Sequence, residues 1–190
     1  MNDPLSPVGR SRPRARRGFT LIELVITIAI ATILMTLAAP SMIKMTKINR
    51  VQTEASSFVS DLMLARTEAV KRGQSVSVCI TTAGSSCLTG NAWNQGWMVF
   101  LDTAAGCTLP SGVSAIKVRS GFSGSDTLTG PTTSTNCVTF NREGFTSNLG
   151  ASAVTFTLHT SDSLAQATRC VQVDLGGHIT TETTGQGSCT

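Results

Sequence analysis

The hydrophobic pattern of this 190-residue chain begins with one long apolar segment. Residues 19–39 read FTLIELVITIAIATILMTLAA and contain a single ionisable side chain, Glu23. As a helix with a rise of about 1.5 Å per residue, this segment spans the roughly 30 Å hydrocarbon core of a bilayer. Five arginines precede it: Arg10, Arg12, Arg14, Arg16 and Arg17. By the positive-inside rule the amino terminus stays in the cytoplasm, and the chain after Pro40 is exported.

A secretory signal peptide is the alternative interpretation of this segment. Such a peptide also joins a basic region to an apolar one, but its apolar core is short and a small-x-small cleavage site follows it. Ala38-Ala39-Pro40 could be misread as that site. Because the apolar run is too long for a signal peptide, we interpret it as a membrane span.

The helical pattern continues beyond Pro40 but becomes amphipathic. One apolar stripe recurs at spacings of three and four: Val51, Ala55, Phe58, Leu62, Ala65 and Ala69. Gly73 follows Lys71 and Arg72, which is typical of a helix end with cations in its last turn. The pattern predicts one long helix, transmembrane over 19–39 and amphipathic over 40–73.

After Gly73 the hydrophobic period falls to two, which is typical of β-strands. The candidate strands cover residues 75–80, 97–101, 115–119, 138–140, 154–158 and 170–173. Glycine, serine, threonine and asparagine separate them, and helix signals are absent. We therefore predict an α+β fold, in which an antiparallel β-sheet domain, residues 74–190, packs on the apolar stripe of the helix.

The start of the apolar segment carries a specific motif. The stretch from Arg17 through Gly18, Phe19 and on to Glu23 reads RGFTLIE. It resembles the type III signal of type IV prepilins and pseudopilins. The resemblance implies that a prepilin peptidase removes the basic leader, residues 1–18, by cutting after Gly18 and then methylates the new amino terminus at Phe19. It also implies that Pro40 kinks the helix.

Glu23 is costly inside a bilayer, by about 3 kcal/mol at mid-depth and less near an end. One interpretation is a tolerated carboxylate that reaches back to the interface. The resemblance to prepilins implies another role, an assembly salt bridge. In that role Glu23 neutralises the Phe19 ammonium of a neighbouring subunit in an apolar filament core.

Four further segments, taken in chain order, extend the resemblance. They are ARTEAV at 65–70, VSVC at 76–79, WNQGWMVFLD at 93–102 and NREG at 141–144. They are similar to the GspH/FimT family of minor pilins and pseudopilins. This implies a structural subunit of a type IV pilus or a type II secretion filament, in an initiation or tip complex. We favour the pilus slightly.

The same resemblance implies partners and a location. The partners are the prepilin peptidase, other minor and major pilins or pseudopilins, and the bacterial inner membrane. The chain crosses that membrane once, with its amino terminus in the cytoplasm and its carboxyl-terminal domain in the periplasm. After assembly it lies at the tip or base of the filament.

Six cysteines follow the membrane segment: Cys79, Cys87, Cys107, Cys137, Cys170 and Cys189. An even number in an exported domain favours disulfides, and many connectivities are open. Sequence proximity suggests Cys79–Cys87, Cys107–Cys137 and Cys170–Cys189. Zinc is the rival use of cysteine, but there is no C-x-x-C pair, and His159 and His178 are not spaced as finger ligands. We therefore expect no metal.

The net charge of +4 lies entirely in the leader, since residues 1–18 hold five of the 15 basic and one of the 11 acidic residues. Ten of each remain. DNA-binding members of the family carry a Gly-Arg-x-Arg motif near the carboxyl end, and the corresponding residues 177–180 read GHIT. A DNA receptor for natural transformation is therefore a disfavoured alternative, although Lys117, Arg119 and Arg169 could cluster. We do not expect nucleic acid as a partner.

The chain offers no recognisable catalytic motif. It lacks G-x-S-x-G, H-E-x-x-H, Walker A and G-x-G-x-x-G sequences. Asp102, directly after an apolar strand, is interpreted as a turn or cap residue. Trp93 and Trp97 are interpreted as core residues rather than a ligand platform. We expect no enzyme activity, no catalytic residue and no cofactor.

Overall fold

The computed structural model describes residues 18–132, 135–150 and 152–189, apart from the side chain of Leu37. The predicted leader lies outside these residues except for Gly18. The chain divides into two units, residues 1–42 and 43–190. Its elements are α1 (Leu21–Arg72), β1 (Val76–Ile80), β2 (Gly96–Leu101), β3 (Lys117–Ser120), β4 (Thr127–Thr129), β5 (Cys137–Phe140), β6 (Val154–His159), β7 (Arg169–Val173) and β8 (Ile179–Thr183), with short 3₁₀ helices at Trp93–Gln95 and Ala165–Ala167.

The described part of the first unit is the beginning of α1. Its large apolar side chains are exposed, and among the described residues α1 is the one helix long and apolar enough to cross a membrane. The hydroxyl groups of Thr27, Thr32 and Thr36 donate to helix carbonyls at 2.7–2.8 Å. These polar side chains are therefore satisfied within the helix, as an apolar medium requires.

The second unit contains the rest of α1 and two antiparallel four-stranded sheets. The strand orders are β3-β2-β1-β5 and β4-β6-β7-β8. The predicted helix stripe is buried, with Val51, Ala55, Phe58, Leu62, Ala65 and Ala69 each at most 2% exposed. The ring of Phe58 makes edge contacts at 5.1–5.3 Å with Trp93, Trp97 and Phe156, so helix and sheet side chains share one core. The predicted α+β fold is confirmed.

The helix ends where the sequence predicts. Gly73 adopts a positive φ of 63°, and the N–H of Gln74 donates to the carbonyl of Ala69 at 3.3 Å. A left-handed glycine just beyond the last helical residue closes the carbonyls of the final turn. Lys71 and Arg72 both pair with Glu68, at 3.5 and 2.6 Å, which adds ion pairs at helical spacing.

Two strands were not predicted. β4 and β8 have the sequences TLT and ITTET, and both lie at an edge of the second sheet. Because threonine dominates them, neither shows an apolar alternation. The third strand also begins later than predicted, at Lys117 instead of Ala115.

Three disulfides hold the domain, and they are the pairs suggested by sequence proximity. Cys79–Cys87 and Cys107–Cys137 pin two loops to the first sheet, and Cys170–Cys189 ties the carboxyl-terminal tail to β7. By chain entropy, each contributes about 2–4 kcal/mol.

Candidate functional sites along the helix

The predicted assembly site lies at the start of α1. Phe19 is exposed just before the helix, and the hydroxyl of Thr20 accepts the backbone N–H of Glu23 at 3.3 Å. Thr20 is therefore the N-cap of α1, and Glu23 occupies the first turn, where the helix dipole favours a carboxylate. The exposed Glu23 side chain is open to a partner outside the subunit.

Pro40 lies inside α1, which is assigned as one helix from Leu21 to Arg72. A proline removes one backbone N–H from the ladder of helix hydrogen bonds and crowds the preceding turn. The kink at Pro40 stays a prediction.

Asp61 joins α1 to β2 and β3 through a buried carboxylate. Its Oδ2 accepts Trp97 Nε1 at 3.0 Å and Arg119 Nε at 2.7 Å, while Lys117 Nζ lies 2.5 Å from Oδ1. Burial acts to raise the pKa of Asp61, but the hydrogen bonds from Arg119, Lys117 and Trp97 outweigh it and hold that pKa below its ordinary value. Asp61 is therefore ionised at neutral pH and fixes the helix to the first sheet.

A second set of ion pairs joins α1 to loops around the second sheet. Arg50 donates two hydrogen bonds to the carboxylate of Asp126, from Nε to Oδ2 at 2.5 Å and from Nη2 to Oδ1 at 2.6 Å. Lys47 pairs with the exposed Asp162 at 2.7 Å. Between these contacts and Asp61 lies Glu54, whose pKa is raised to about 7 by burial and by the nearby Asp126 charge, against the influence of Arg50.

Arg66 holds two glycine turns against the helix. Its Nε donates to the carbonyl of Gly144 at 3.0 Å and its Nη2 to the carbonyl of Gly176 at 3.1 Å. Gly144 and Gly177 both have positive φ, at 84° and 72°, and the two turns approach so closely that a Cβ on Gly177 would collide with the carbonyl of Gly144. Segments 65–70 and 141–144, which carry the family resemblance, therefore meet in space.

Residues 177–180, which the sequence resemblance aligns with the DNA-binding motif, lie at the end of the β7–β8 turn and the start of β8. Asp174 accepts the backbone N–H of His178 at 2.8 Å and lies 3.1 Å from its Nδ1. The backbone hydrogen bond from His178 is the main cause that lowers the pKa of Asp174. This turn thus presents an imidazole beside a carboxylate.

Asp102 is a loop cap, as the sequence suggests. Its carboxylate accepts Ser77 Oγ at 2.7 Å, the N–H of Cys107 at 2.8 Å and the N–H of Gly106 at 3.2 Å. Trp93 and Trp97 are buried in the core. Among the described residues, no group of three or more histidine, cysteine, aspartate or glutamate side chains could hold a metal ion.

Sequence reasoning missed Asp61 and Arg66 as structural anchors, and it missed Glu54 as a carboxyl group whose pKa is raised. A signal for Asp61 was present, since it follows Phe58 by three positions on the helix and Lys117 and Arg119 alternate on one face of a strand. In β3, however, the apolar alternation would have turned Val118 inward, whereas Val118 is 50% exposed and Lys117 and Arg119 pair with Asp61. No local pattern marks the carbonyl partners of Arg66.

Three features together define a type IV pilin-like protein. The long helix is apolar at its start, its first turn is capped and contains a glutamate, and two antiparallel sheets pack on its second half. Two family profiles match the chain. The prokaryotic N-terminal methylation motif covers residues 13–39, and the family described as Type II transport protein GspH covers residues 54–177. Because the latter covers more than half of the chain, the protein belongs to the GspH family of minor pilins and pseudopilins.

Solved structures with this fold include the type IV minor pilin FimU of Pseudomonas aeruginosa in two crystal forms. The P21 form has a TM-score of 0.54 and 19% identity over 73% of this chain and 92% of that chain. The P65 form has a TM-score of 0.51 and 20% identity over 69% of this chain and 91% of that chain. The minor pseudopilin EpsH of Vibrio cholerae has a TM-score of 0.47 and 14% identity over 72% of this chain and 99% of that chain. No curated protein sequence matches the chain.

Proposed function

We propose that this chain is a minor subunit that helps to initiate or cap a type IV pilus or a type II secretion filament. The observation that carries the proposal is the exposed Glu23 carboxylate in the capped first turn of an exposed apolar helix, within the methylation motif. A structural role of this kind requires no catalysis. The proposal includes the domain division predicted from the sequence. Its four parts are the leader, the membrane half of the helix, the amphipathic half of the helix and the exported β domain.

Before assembly the subunit is stored in the inner membrane. Residues 19–39 span the bilayer, the arginines before them keep the amino terminus in the cytoplasm, and the β domain is periplasmic. The prepilin peptidase cuts after Gly18, which removes those arginines, and methylates Phe19. The disulfides support an oxidising location for the β domain.

Glu23 then drives incorporation. In the membrane its carboxylate lies near one end of the span, where it carries a moderate cost. When the helix enters a filament core, the Phe19 ammonium of a neighbouring subunit pairs with it, so that two unsatisfied charges become one satisfied pair. Removing the carboxylate should therefore leave membrane insertion intact and impair assembly.

The proposal is tested by expressing Glu23→Val in a strain that lacks the wild-type gene. We expect normal membrane levels and normal processing, with loss of the subunit from sheared filaments. Glu143→Val, which removes an exposed carboxylate of the β domain, is the matched control and should be incorporated normally. Incorporation of Glu23→Val at the control level would contradict the pairing role.

The choice between the two machines is tested by deletion of the gene. Surface pili, twitching and secreted enzymes are scored side by side in the same strain. The slight preference for the pilus rests on the disulfide-pinned loops of the β domain, which suit a domain carried outside the cell. Loss of secretion with normal pili would overturn that preference.

DNA binding is disfavoured by the engagement of the candidate cations. Lys117 and Arg119 are paired with Asp61, and Arg169 Nη1 donates to the carbonyls of Gln166 and Thr168. Phosphate binding depends on the number of cations free to contact the backbone of DNA. A mobility-shift experiment at low salt should show no tight complex, and tight binding lost on substitution of these cations would revive this alternative.

A further inference from the structure

Two disulfides lie side by side on the face of the first sheet that is turned away from α1. Cys79 in β1 and Cys137 in β5 are direct register partners across the two strands. They are not bonded to each other, because Cys79 is bonded to Cys87 and Cys137 to Cys107, both in loops. The sheet therefore contains a cross-strand pair of cysteines, each of which holds a loop.

The backbone at this cross-strand pair suits a direct disulfide. The N–H of Ile80 donates to the carbonyl of Asn136 at 3.1 Å, so the adjacent pair, Cys79 and Cys137, is a non-hydrogen-bonded pair of the antiparallel ladder. In such a pair the Cα atoms are about 4.5 Å apart and the side chains lie close together on one face. A disulfide requires a Cα–Cα distance of about 4.4–6.8 Å. A bond between Cys79 and Cys137 thus needs no change of strand register.

Burial sets the order in which these cysteines meet a thiol from solution. Cys79 and Cys137 are 0% and 4% exposed, whereas the loop residues Cys87 and Cys107 are partly exposed. An attacking thiolate bonds to the sulfur that it reaches, and the partner sulfur leaves with the electron pair. Attack on a loop cysteine therefore releases a buried thiolate beside the other buried cysteine of the cross-strand pair.

We propose that these cysteines form a disulfide-exchange switch, in which reduction of Cys107–Cys137 by a dithiol transfers the remaining bond to Cys79–Cys137. The dithiol attacks Cys107 Sγ, the bond to Cys137 breaks, and Cys137 leaves as a thiolate. That thiolate attacks Cys79 Sγ and displaces Cys87 as a thiolate.

The electrons and protons of this exchange balance. The second thiol of the dithiol attacks the mixed disulfide at Cys107, so the dithiol leaves as a cyclic disulfide and is oxidised by two electrons. Two protein disulfides become one, and the two protons of the dithiol end on Cys87 and Cys107. The cross-strand bond is the protein disulfide that remains.

The exchange releases a loop and keeps the sheet cross-linked. Side chains of the loop at residues 103–115 pack on Met98 and Phe100, which are both fully buried. The described hydrogen bonds of residues 108–115 stay within the loop, so the disulfide of Cys107 is the covalent tie between this loop and the sheet. After exchange the loop loses that tie, while the new bond still joins β1 to β5.

Partial reduction of the full-length chain in detergent micelles tests the switch. Dithiothreitol is raised stepwise until the first cysteines become reactive, and free thiols are trapped with excess N-ethylmaleimide. Peptide mass spectrometry then locates the label and the remaining linkages. We expect the label on Cys87 and Cys107, together with a Cys79–Cys137 linkage. Any other pair of first-labelled cysteines would overturn the proposal.

A variant tests the exchange step without a reductant. Cys87→Ser leaves Cys79 as a free thiol beside Cys107–Cys137. At mildly alkaline pH its thiolate should attack Cys137 Sγ and displace Cys107. We expect the Cys107–Cys137 linkage to be lost and the Cys79–Cys137 linkage to appear with Cys107 free.

Cys189→Ser is the matched control for this variant. It also frees one buried cysteine, Cys170, but the register partners of Cys170 are Thr157 and Glu182 rather than a cysteine. The other two disulfides should therefore stay as they are. If Cys87→Ser retains the Cys107–Cys137 linkage as fully as this control does, the exchange step is contradicted.

Hydrogen exchange measures the release of the loop. In Cys87→Ser after exchange, the backbone amides of residues 103–115 should exchange faster than in wild type, while those of β1 and β5 stay protected. Unchanged exchange in the loop would overturn its release. All of these experiments use the subunit alone, so failure of the switch would leave the proposed filament role intact, and failure of that role would leave the switch intact.

Discussion

The buried carboxylate of Asp61 links the helix to the first sheet through Trp97, Lys117 and Arg119, and its removal should be costly. In Asp61→Ala, the indole N–H of Trp97 loses its acceptor in the core, at a cost of about 1–3 kcal/mol. Lys117 and Arg119 are 40% and 35% exposed, so both regain water. The cost of breaking these two ion pairs is therefore below the 3–5 kcal/mol typical of a fully buried pair. We expect the free energy of unfolding to fall by about 2–4 kcal/mol in total.

Tryptophan fluorescence during denaturant unfolding in detergent micelles measures this effect. Trp93 and Trp97 both lie in the second unit, so the signal reports on that unit alone. Asp162→Ala is the matched control, because it removes an exposed aspartate that pairs with a lysine, and an exposed ion pair of this kind contributes little to stability. If Asp61→Ala loses no more stability than Asp162→Ala, the reasoning is refuted.

The pH dependence of the Asp61 effect has a definite sign. Because the folded state lowers the pKa of Asp61 from its ordinary 3.8, the stabilisation is fully present above that value and is lost as the pH falls below it. The difference between wild type and Asp61→Ala should therefore be constant near neutral pH and shrink in acid. A difference that grows in acid would contradict an ionised Asp61.

Three further changes have defined outcomes. Gly177→Ala should lower thermal stability by more than Gly112→Ala, since both have positive φ but only the first new Cβ would collide with the Gly144 carbonyl. The folded state raises the pKa of Glu54 from 4.5 to about 7, so the free energy of unfolding should fall as the pH rises through that range. Glu54→Gln should remove this pH dependence. After allowance for solvent screening, it should stabilise the protein by about 1–2 kcal/mol at about pH 8. Cys189→Ser, which opens the third disulfide, should cost about 2–4 kcal/mol in denaturant unfolding and make the tail sensitive to protease. Equal stability of the two glycine variants, an unchanged pH slope in Glu54→Gln, or a protease-resistant tail in Cys189→Ser would each contradict the corresponding contact.

Elements defined by local periodicity could be predicted from the sequence. The apolar stripe from Val51 to Ala69 and the helix end at Gly73 both depend on residues a few positions apart, so their spacing is visible along the chain. The motif from Gly18 to Glu23 is local in the same way. In contrast, β8 is largely threonine and glutamate, and its strand geometry comes from pairing with β7.

The polar anchors escaped prediction because their partners are distant in sequence. Asp61 and Arg119 are separated by 58 positions, and Arg66 binds carbonyl oxygens, which every residue possesses. The raised pKa of Glu54 arises from the folded surroundings, which burial and Asp126 create together. Such contacts become visible only when the sheets are placed against the helix.

The processing of the amino terminus is the most direct test of the account. Intact-mass and amino-terminal peptide analysis of the protein purified from its native membrane should show a chain that begins at Phe19 with one added methyl group. In Gly18→Val, the same measurement should show an uncut precursor with its arginines attached, because the peptidase must approach the backbone closely. Wild-type protein recovered only with Met1 in place would contradict the central claim.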